Sequence, residues 1–343
     1  MAKKTERWDS MDKENTPLEK LVLQYEAFNR AEGKTARTVN WYGWCLGLFL
    51  DWLRQENVEP VLGSVDTGVV REYILYLQNR NRYDDHPYTP DQGKPLSPVS
   101  IQCYVRAVKA FFNWLYKEGF TADYRLERLK QPKAPKKLKD PLTEPEVAVL
   151  LSSIDTQTSW GARNSTIVLL LLDTGLRLSE LVTLETKNLH LEEGYVKVMG
   201  KGQKERIAPF GNSARKALMK YVFHFRPEPL RDDRVFLNLD GGPMTSSGLQ
   251  LVFRRLADSS GVNRLHAHLL RHTFAVNYLM NGGDVFTLQQ ILGHSTLEMV
   301  RNYVNLASAH VMTQHNRFSP VDHMNLRQIN RAVTMRKTSR RRR

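Results

Sequence analysis

Apolar positions recur at helical spacing through residues 17–122. In ARTVNWYGWCLGLFLDWLRQ, Val39, Tyr42, Leu46, Leu48, Phe49 and Leu53 fall close to one face, and Thr38 is placed as the N-cap. SPVSIQCYVRAVKAFFNWLYKEGF repeats the pattern, with Val105, Val108, Phe112 and Leu115 as the stripe and Ser97 or Ser100 near its start. Between the two, RYDDHPYTPDQGKPL (82–96) is polar and rich in Pro and Asp, which reads as a loop. Residues 1–16 show no such pattern and read as a flexible N-terminus.

The pattern breaks at RLERLKQPKAPKKLKDP (125–141), where three prolines and seven basic residues accompany two acidic ones. That composition predicts an extended basic linker over 123–141 with no core of its own. A second domain, 142–318, opens on LTEPEVAVLL: Thr143 caps, Pro145 enters the first turn, and Glu144 and Glu146 suit a helix N-terminus. TIVLLLLDTG reads as a buried helix ending near Gly175. The period then switches to two: Tyr195–Met199 alternates, a turn falls at Gly200–Gln203, and Arg206–Phe210 returns as a hairpin. From 213 onward the pattern is helical again, and 319–343 is an extension ending in the basic tail RKTSRRRR. The class is therefore mainly α with a small antiparallel sheet.

Composition adds a partner. The 343 residues carry 50 Lys+Arg against 36 Asp+Glu, a net charge of +14. Such a charge attracts polyanions, with nucleic acid foremost, but says nothing about sequence preference. Cys45 and Cys103 are the only cysteines, which excludes a disulfide framework and a Cys-rich zinc module. The longest aliphatic run, Ile167–Leu172, is too short to span a membrane, and MAKKTERWDS lacks the apolar core of a signal peptide. The reading is a cytoplasmic protein, nucleoid-associated in a bacterium, with no membrane partner.

Four places hold reactive residue types. In HLLRHTFA, His268 and His272 stand four apart, the spacing of a helical zinc site. Leu269 occupies the position where zinc hydrolases carry Glu, and Arg271 would repel a metal cation. A guanidinium beside imidazoles suits an anion, phosphate above all. In DTGLRLSEL (173–181), Arg177 begins a helix after Gly175, and Ser179 and Glu180 can brace it; alone it is a surface arginine. GKGQKER (200–206) puts Lys201 on a tight turn, where an ammonium can protonate a leaving oxygen or simply solubilise a hairpin. In LGHSTLEMVRNY, Gly293 breaks one helix and Ser295 with Glu298 forms a capping box for the next. Tyr303 then lies beside a stripe of Leu297, Val300 and Val304, either as a core aromatic or as a phenolic nucleophile, with His294 at the break.

Together and in this order, these residues resemble the tyrosine recombinase (phage integrase) family. Arg177 in TGLRLSEL matches the family's first arginine, Lys201 its hairpin lysine, and His268 and Arg271 its histidine and second arginine. His294 in LGHS matches the His/Trp position, and Tyr303, nine residues after it, the nucleophile. The resemblance is strong over about 143–305 and looser over 17–122, which is similar to the helical core-binding domain. It implies a two-domain, C-shaped clamp on duplex DNA and a phosphate site that needs neither cofactor nor metal nor ATP. It further implies a homotetramer on two recombination sites and an accessory DNA-binding protein. Arg177 and Arg271 would clamp the scissile phosphate, Tyr303 would form a 3′-phosphotyrosine, Lys201 would protonate the 5′-oxygen, and His268 and His294 would assist. Glu180 and His272 are supporting residues. Lys133, Lys136, Lys137 and Lys139 on the linker, with Lys204 and Arg206 on the hairpin, are the expected DNA contacts. Integration or transposition of a mobile element ranks first and Xer-like resolution of chromosome or plasmid dimers second. A non-catalytic DNA-binding regulator is the rival of another class; a type IB topoisomerase and a zinc hydrolase are the rival enzymes.

Overall fold

A computed structural model of the chain describes residues 13–84, 89–91, 93–135, 140–200, 205–231, 233–294, 296–298, 300, 301, 303, 315 and 319–321. The chain divides into two compact units, 1–137 and 138–343.

The first unit is helical: α1 (Leu18–Ala31), α2 (Ala36–Gln55), α3 (Thr67–Asn79) and α4 (Pro98–Lys117). Each start has a chemical cause. Asp66 accepts from the Val69 N–H at 2.9 Å to cap α3, and Ser97 caps α4 with Pro98 in its first turn. The α2 cap is Thr35, not Thr38: extended Thr35 takes the Thr38 N–H onto its own hydroxyl at 3.3 Å. The apolar stripes meet in one aromatic-rich core containing Tyr25, Phe49, Trp52, Tyr73, Phe111 and Trp114.

Two expectations for this unit are corrected. The 123–141 stretch is not wholly an extended linker. Leu126 and Leu129 are buried in the helical core, and the Leu129 carbonyl accepts from Lys109 at 2.6 Å. The basic residues alternate with leucines that point inward, so composition concealed two anchors. Residues 13–16 are likewise tied down: the Gly63 and Leu62 N–H groups donate to the Glu14 and Thr16 carbonyls at 2.7 and 3.0 Å.

The second unit opens on α5 (Glu144–Ser152), whose start is a reciprocal capping box between Thr143 and Glu146. At its centre is α6 (Ser159–Thr174), closed by Gly175 at φ 60°. This position needs glycine twice over, because a Cβ there would meet Phe274 Cδ1 at 2.4 Å. There follow α7 (Leu178–Val182), β1 (Leu189–His190), β2 (Tyr195–Met199) and β3 (Glu205–Pro209). The strands form one antiparallel sheet in the order β1-β2-β3, with Val196 opposite Ala208 and Val198 opposite Arg206. Val196, Val198 and Ala208 face the core. The two-residue β1 was too short to read from alternation. After α8 (Asn212–Lys220) and a π-turn (Tyr221–Phe225), none of the described residues in 226–245 is helical, contrary to the pattern reading. They are held by isolated bridges, Glu185 with Arg234 and Leu237 with Pro243. Then come α9 (Ser246–Ser260), α10 (Ala267–Met280) and α11 (Val285–Leu292). Helix α10 packs on α6, and α11 packs on β3. The fold is mainly α with one small antiparallel sheet, as the periodicity predicts. Among the described residues no helix is long and apolar enough to cross a membrane.

Candidate active site

The site is assembled where two helices end. Helix carboxyl termini leave carbonyl oxygens without intrahelical donors, and they carry partial negative charge. Here those oxygens hold guanidiniums. Arg271, facing inward from α10, donates through Nη1 to the Gly175 carbonyl at 2.5 Å and through Nη2 to the Leu292 carbonyl at 2.8 Å. Arg177, the residue before α7, donates through Nη2 to the Gly293 carbonyl at 3.2 Å. Arg206 at the start of β3 donates through Nε to the Ile291 carbonyl at 2.7 Å.

Glu180 is the anion of this cluster. Its Oε1 accepts from Arg177 Nη1 at 2.7 Å and from Arg206 Nη1 at 2.7 Å. Its Oε2 accepts from Arg206 Nη2 at 2.7 Å and from the Arg177 backbone N–H at 2.8 Å. Burial pushes this carboxyl up, but the Arg206 fork and the Arg177 bonds outweigh it and hold it below the usual range. Three guanidiniums against one carboxylate leave a net charge of two positive. Arg177, its side chain 34% exposed, is the most open of the three guanidiniums. Burial first, then Arg177, pulls Arg271 down to about 10, so it stays charged at neutral pH.

His294 follows the positive-φ Gly293 that ends α11. Its Nε2 lies 2.8 Å from Arg271 Nη2. Arginine can only donate, so Nε2 accepts and the ring proton resides on Nδ1, an assignment that follows from the partner. Nδ1 is buried without a partner among the described residues. Burial first, and then Arg271, Arg177, Arg206 and His268, push the imidazole down to about 4. It is a neutral donor at pH 7. His268 stands exposed in the first turn of α10, near enough to act on His294.

Tyr303 completes the cluster. Its ring lies 6.2 Å from that of His294 and nearly parallel at 12°, and 5.3 Å from that of His272. Only 7% of the residue is exposed, and it packs with Val300, Ile291 and Leu292. Tyr303 is thus packed in an apolar cluster and borders the cations. The predicted stripe is only partly realised, since Leu297 is exposed.

The structure brings Arg177, Glu180, His268, Arg271, His272, His294 and Tyr303 together. Lys201 and Lys204 lie outside the described residues, as do Lys136, Lys137, Lys139, Ser295 and Val304. Lys133 is exposed on the first unit. Arg206 differs from its expected place among the DNA contacts. Its side chain is 9% exposed, and its fork is taken by Glu180. The four carbonyls that seat the arginines were not read from sequence, although Gly175 and Gly293 mark both helix ends. Among the described residues no group of three or more His, Cys, Asp or Glu is placed to hold a metal ion. Fixed guanidiniums with a neutral imidazole donor instead suit a phosphodiester, whose negative charge grows toward a pentacoordinate transition state.

Residues 141–310 match the Phage integrase family. The chain is 34% identical over 294 residues to tyrosine recombinase XerD of Listeria innocua serovar 6a, covering 84% of this chain and 94% of that protein. Among solved structures it is similar to XerH site-specific recombinase bound to palindromic difH substrate in a post-cleavage complex. There the TM-score is 0.66 at 22% identity, covering 86% of this chain and 83% of that one. The integrase of transposon Tn1549 in complex with transposon right end DNA also scores 0.66, at 21% identity, covering 87% of this chain and 99% of that one.

Proposed function

The chain belongs to the tyrosine recombinase (phage integrase) family and is a DNA recombinase, and on that premise we propose that it exchanges strands at specific duplex sites through Tyr303. The Tyr303 oxygen attacks the scissile phosphorus. A 3′-phosphotyrosine forms as the bond from phosphorus to the 5′-oxygen breaks, and Lys201 gives that oxygen its proton. Arg177 and Arg271 hold the non-bridging oxygens, and His294 donates to the phosphate. His268 takes part in proton transfer at the phenol. A 5′-hydroxyl from the partner strand then reverses the step, so the phosphate bond is conserved throughout. The observation that carries this reading is the nearness of Tyr303 to the Arg271–His294 pair of its own chain. The same observation supports cleavage in cis.

For the biological task, the match along most of XerD supports Xer-like resolution of chromosome or plasmid dimers at least as well as integration, the task ranked first on the sequence. Integration or transposition of a mobile element stands beside it, in keeping with the likeness to the Tn1549 integrase. Four protomers would meet on two double-stranded DNA sites as a homotetramer. The test uses the DNA site that becomes covalently attached to the protein. Two direct copies are placed on one supercoiled plasmid, and single copies on separate plasmids. Resolution of the first without joining of the second supports the Xer-like task. Efficient joining to non-identical targets supports integration.

A further inference from the structure

Arg206 takes no part in the reaction scheme above, yet it connects three elements of the site. It lies on β3, five residues after Lys201 in the sequence. Its Nη1 and Nη2 make a two-pronged contact with Glu180, both at 2.7 Å, and Glu180 holds Arg177 through side chain and backbone. Its Nε reaches the Ile291 carbonyl at the end of α11, one turn before His294. Its aliphatic stem lies against Gly293, where a Cβ would come 2.9 Å from Arg206 Cδ. A planar fork fixes all three directions at once; an ammonium on a flexible stem cannot.

We propose that Arg206 is a positioning residue that orients Arg177 through Glu180 and keeps the phosphate clamp in register with the β2–β3 hairpin. The inference rests on the recombinase reading. It differs from a DNA contact, which would act on affinity, and from a purely stabilising ion pair, which would act on folding alone.

The test is single-turnover cleavage of a nicked duplex carrying the covalently trapped site. Wild type, Arg206→Lys, Arg206→Met, Glu180→Gln and the Arg206→Met/Glu180→Gln pair are compared, with DNA affinity and melting temperature measured in parallel. Arg206→Met should cleave about 100-fold more slowly, the scale of a small misplacement of a catalytic group. DNA affinity should stay within a few-fold. Arg206→Lys should fall between, and the double variant should be no slower than the slower single one, since both act on one chain of contacts. Effects that multiply in the double variant would overturn the proposal, as would loss of affinity in step with cleavage. If Arg206→Met does not fold, Arg206→Lys decides: cleavage at the wild-type rate shows that the fork is not needed and overturns the proposal. Absence of any adduct with wild type would instead strike the recombinase reading itself.

Discussion

Replacing Glu180 by glutamine isolates the charge that organises the site, because the shape is preserved. The carboxylate accepts four hydrogen bonds of 2.7–2.8 Å, all from guanidinium or backbone donors. Glutamine keeps one oxygen. Its amide would point donors at two of the four incoming donors, and Arg177, Arg206 and Arg271 would remain close together with no anion among them. Breaking a buried pair of this kind costs about 3–5 kcal/mol, because the partner charge stays buried. Every 1.4 kcal/mol is tenfold in an opening equilibrium, so amide exchange in β2, β3 and α6 should accelerate by about 10²–10⁴-fold. Hydrogen exchange read peptide by peptide reports this unit separately from the helical one. The pH dependence checks the cause. The folded carboxyl titrates below its ordinary 4.5, so its contribution is complete above that pH and is lost as pH falls through the folded value. Wild type and Glu180→Gln should therefore converge in stability toward low pH. Exchange that changes by less than about tenfold at pH 7 would refute the claim that this carboxylate holds the arginines.

Three further predictions follow from the same contacts. Gly175→Ala sets a Cβ at φ 60° and 2.4 Å from Phe274 Cδ1, so urea denaturation should show a loss of about 2–5 kcal/mol from backbone strain and overpacking; a change within error would contradict the packing described. Arg271→Lys cannot serve the Gly175 and Leu292 carbonyls and His294 together, so cleavage should drop by at least about 10²-fold. Filter binding should show DNA affinity nearly retained, since many cations share it, and proportional loss of both would count against the assignment. His294 is held at about 4 against the usual 6.5, so the unfolded chain takes up its proton first as pH falls. Stability should decline between pH 6.5 and 4, and His294→Gln should flatten that window; an unchanged slope would contradict the buried neutral imidazole.

How far the sequence reached can be traced residue by residue. Thr143, Ser97, Gly175 and Gly293 each act locally, through a cap or a positive φ, and each was legible from a few neighbouring residues. The hairpin was legible because alternation and a glycine turn coincide at 195–210. Leu126 and Leu129 were not, because their burial depends on helices far along the chain, whereas composition reports only the basic residues around them. Arg206 shows the same limit at the site. An arginine beside a basic turn reads as a DNA contact, and only the folded chain puts Glu180 opposite it. The order Arg, Lys, His-x-x-Arg, His, Tyr carried the family resemblance because it fixes residue types and spacings in the sequence itself. The carbonyls that seat the arginines have no side-chain signature at all.

The central claim is that Tyr303 is a covalent nucleophile served by its own chain's cation cluster. The measurement is covalent trapping: wild type and Tyr303→Phe are incubated with DNA from the protein's genetic neighbourhood in EDTA, denatured in detergent, and the attached DNA is sequenced. The account predicts adducts at one defined site with wild type and none with Tyr303→Phe. Adducts that persist in Tyr303→Phe, or tight binding to a defined site with no wild-type adduct even on a nicked substrate, would contradict it.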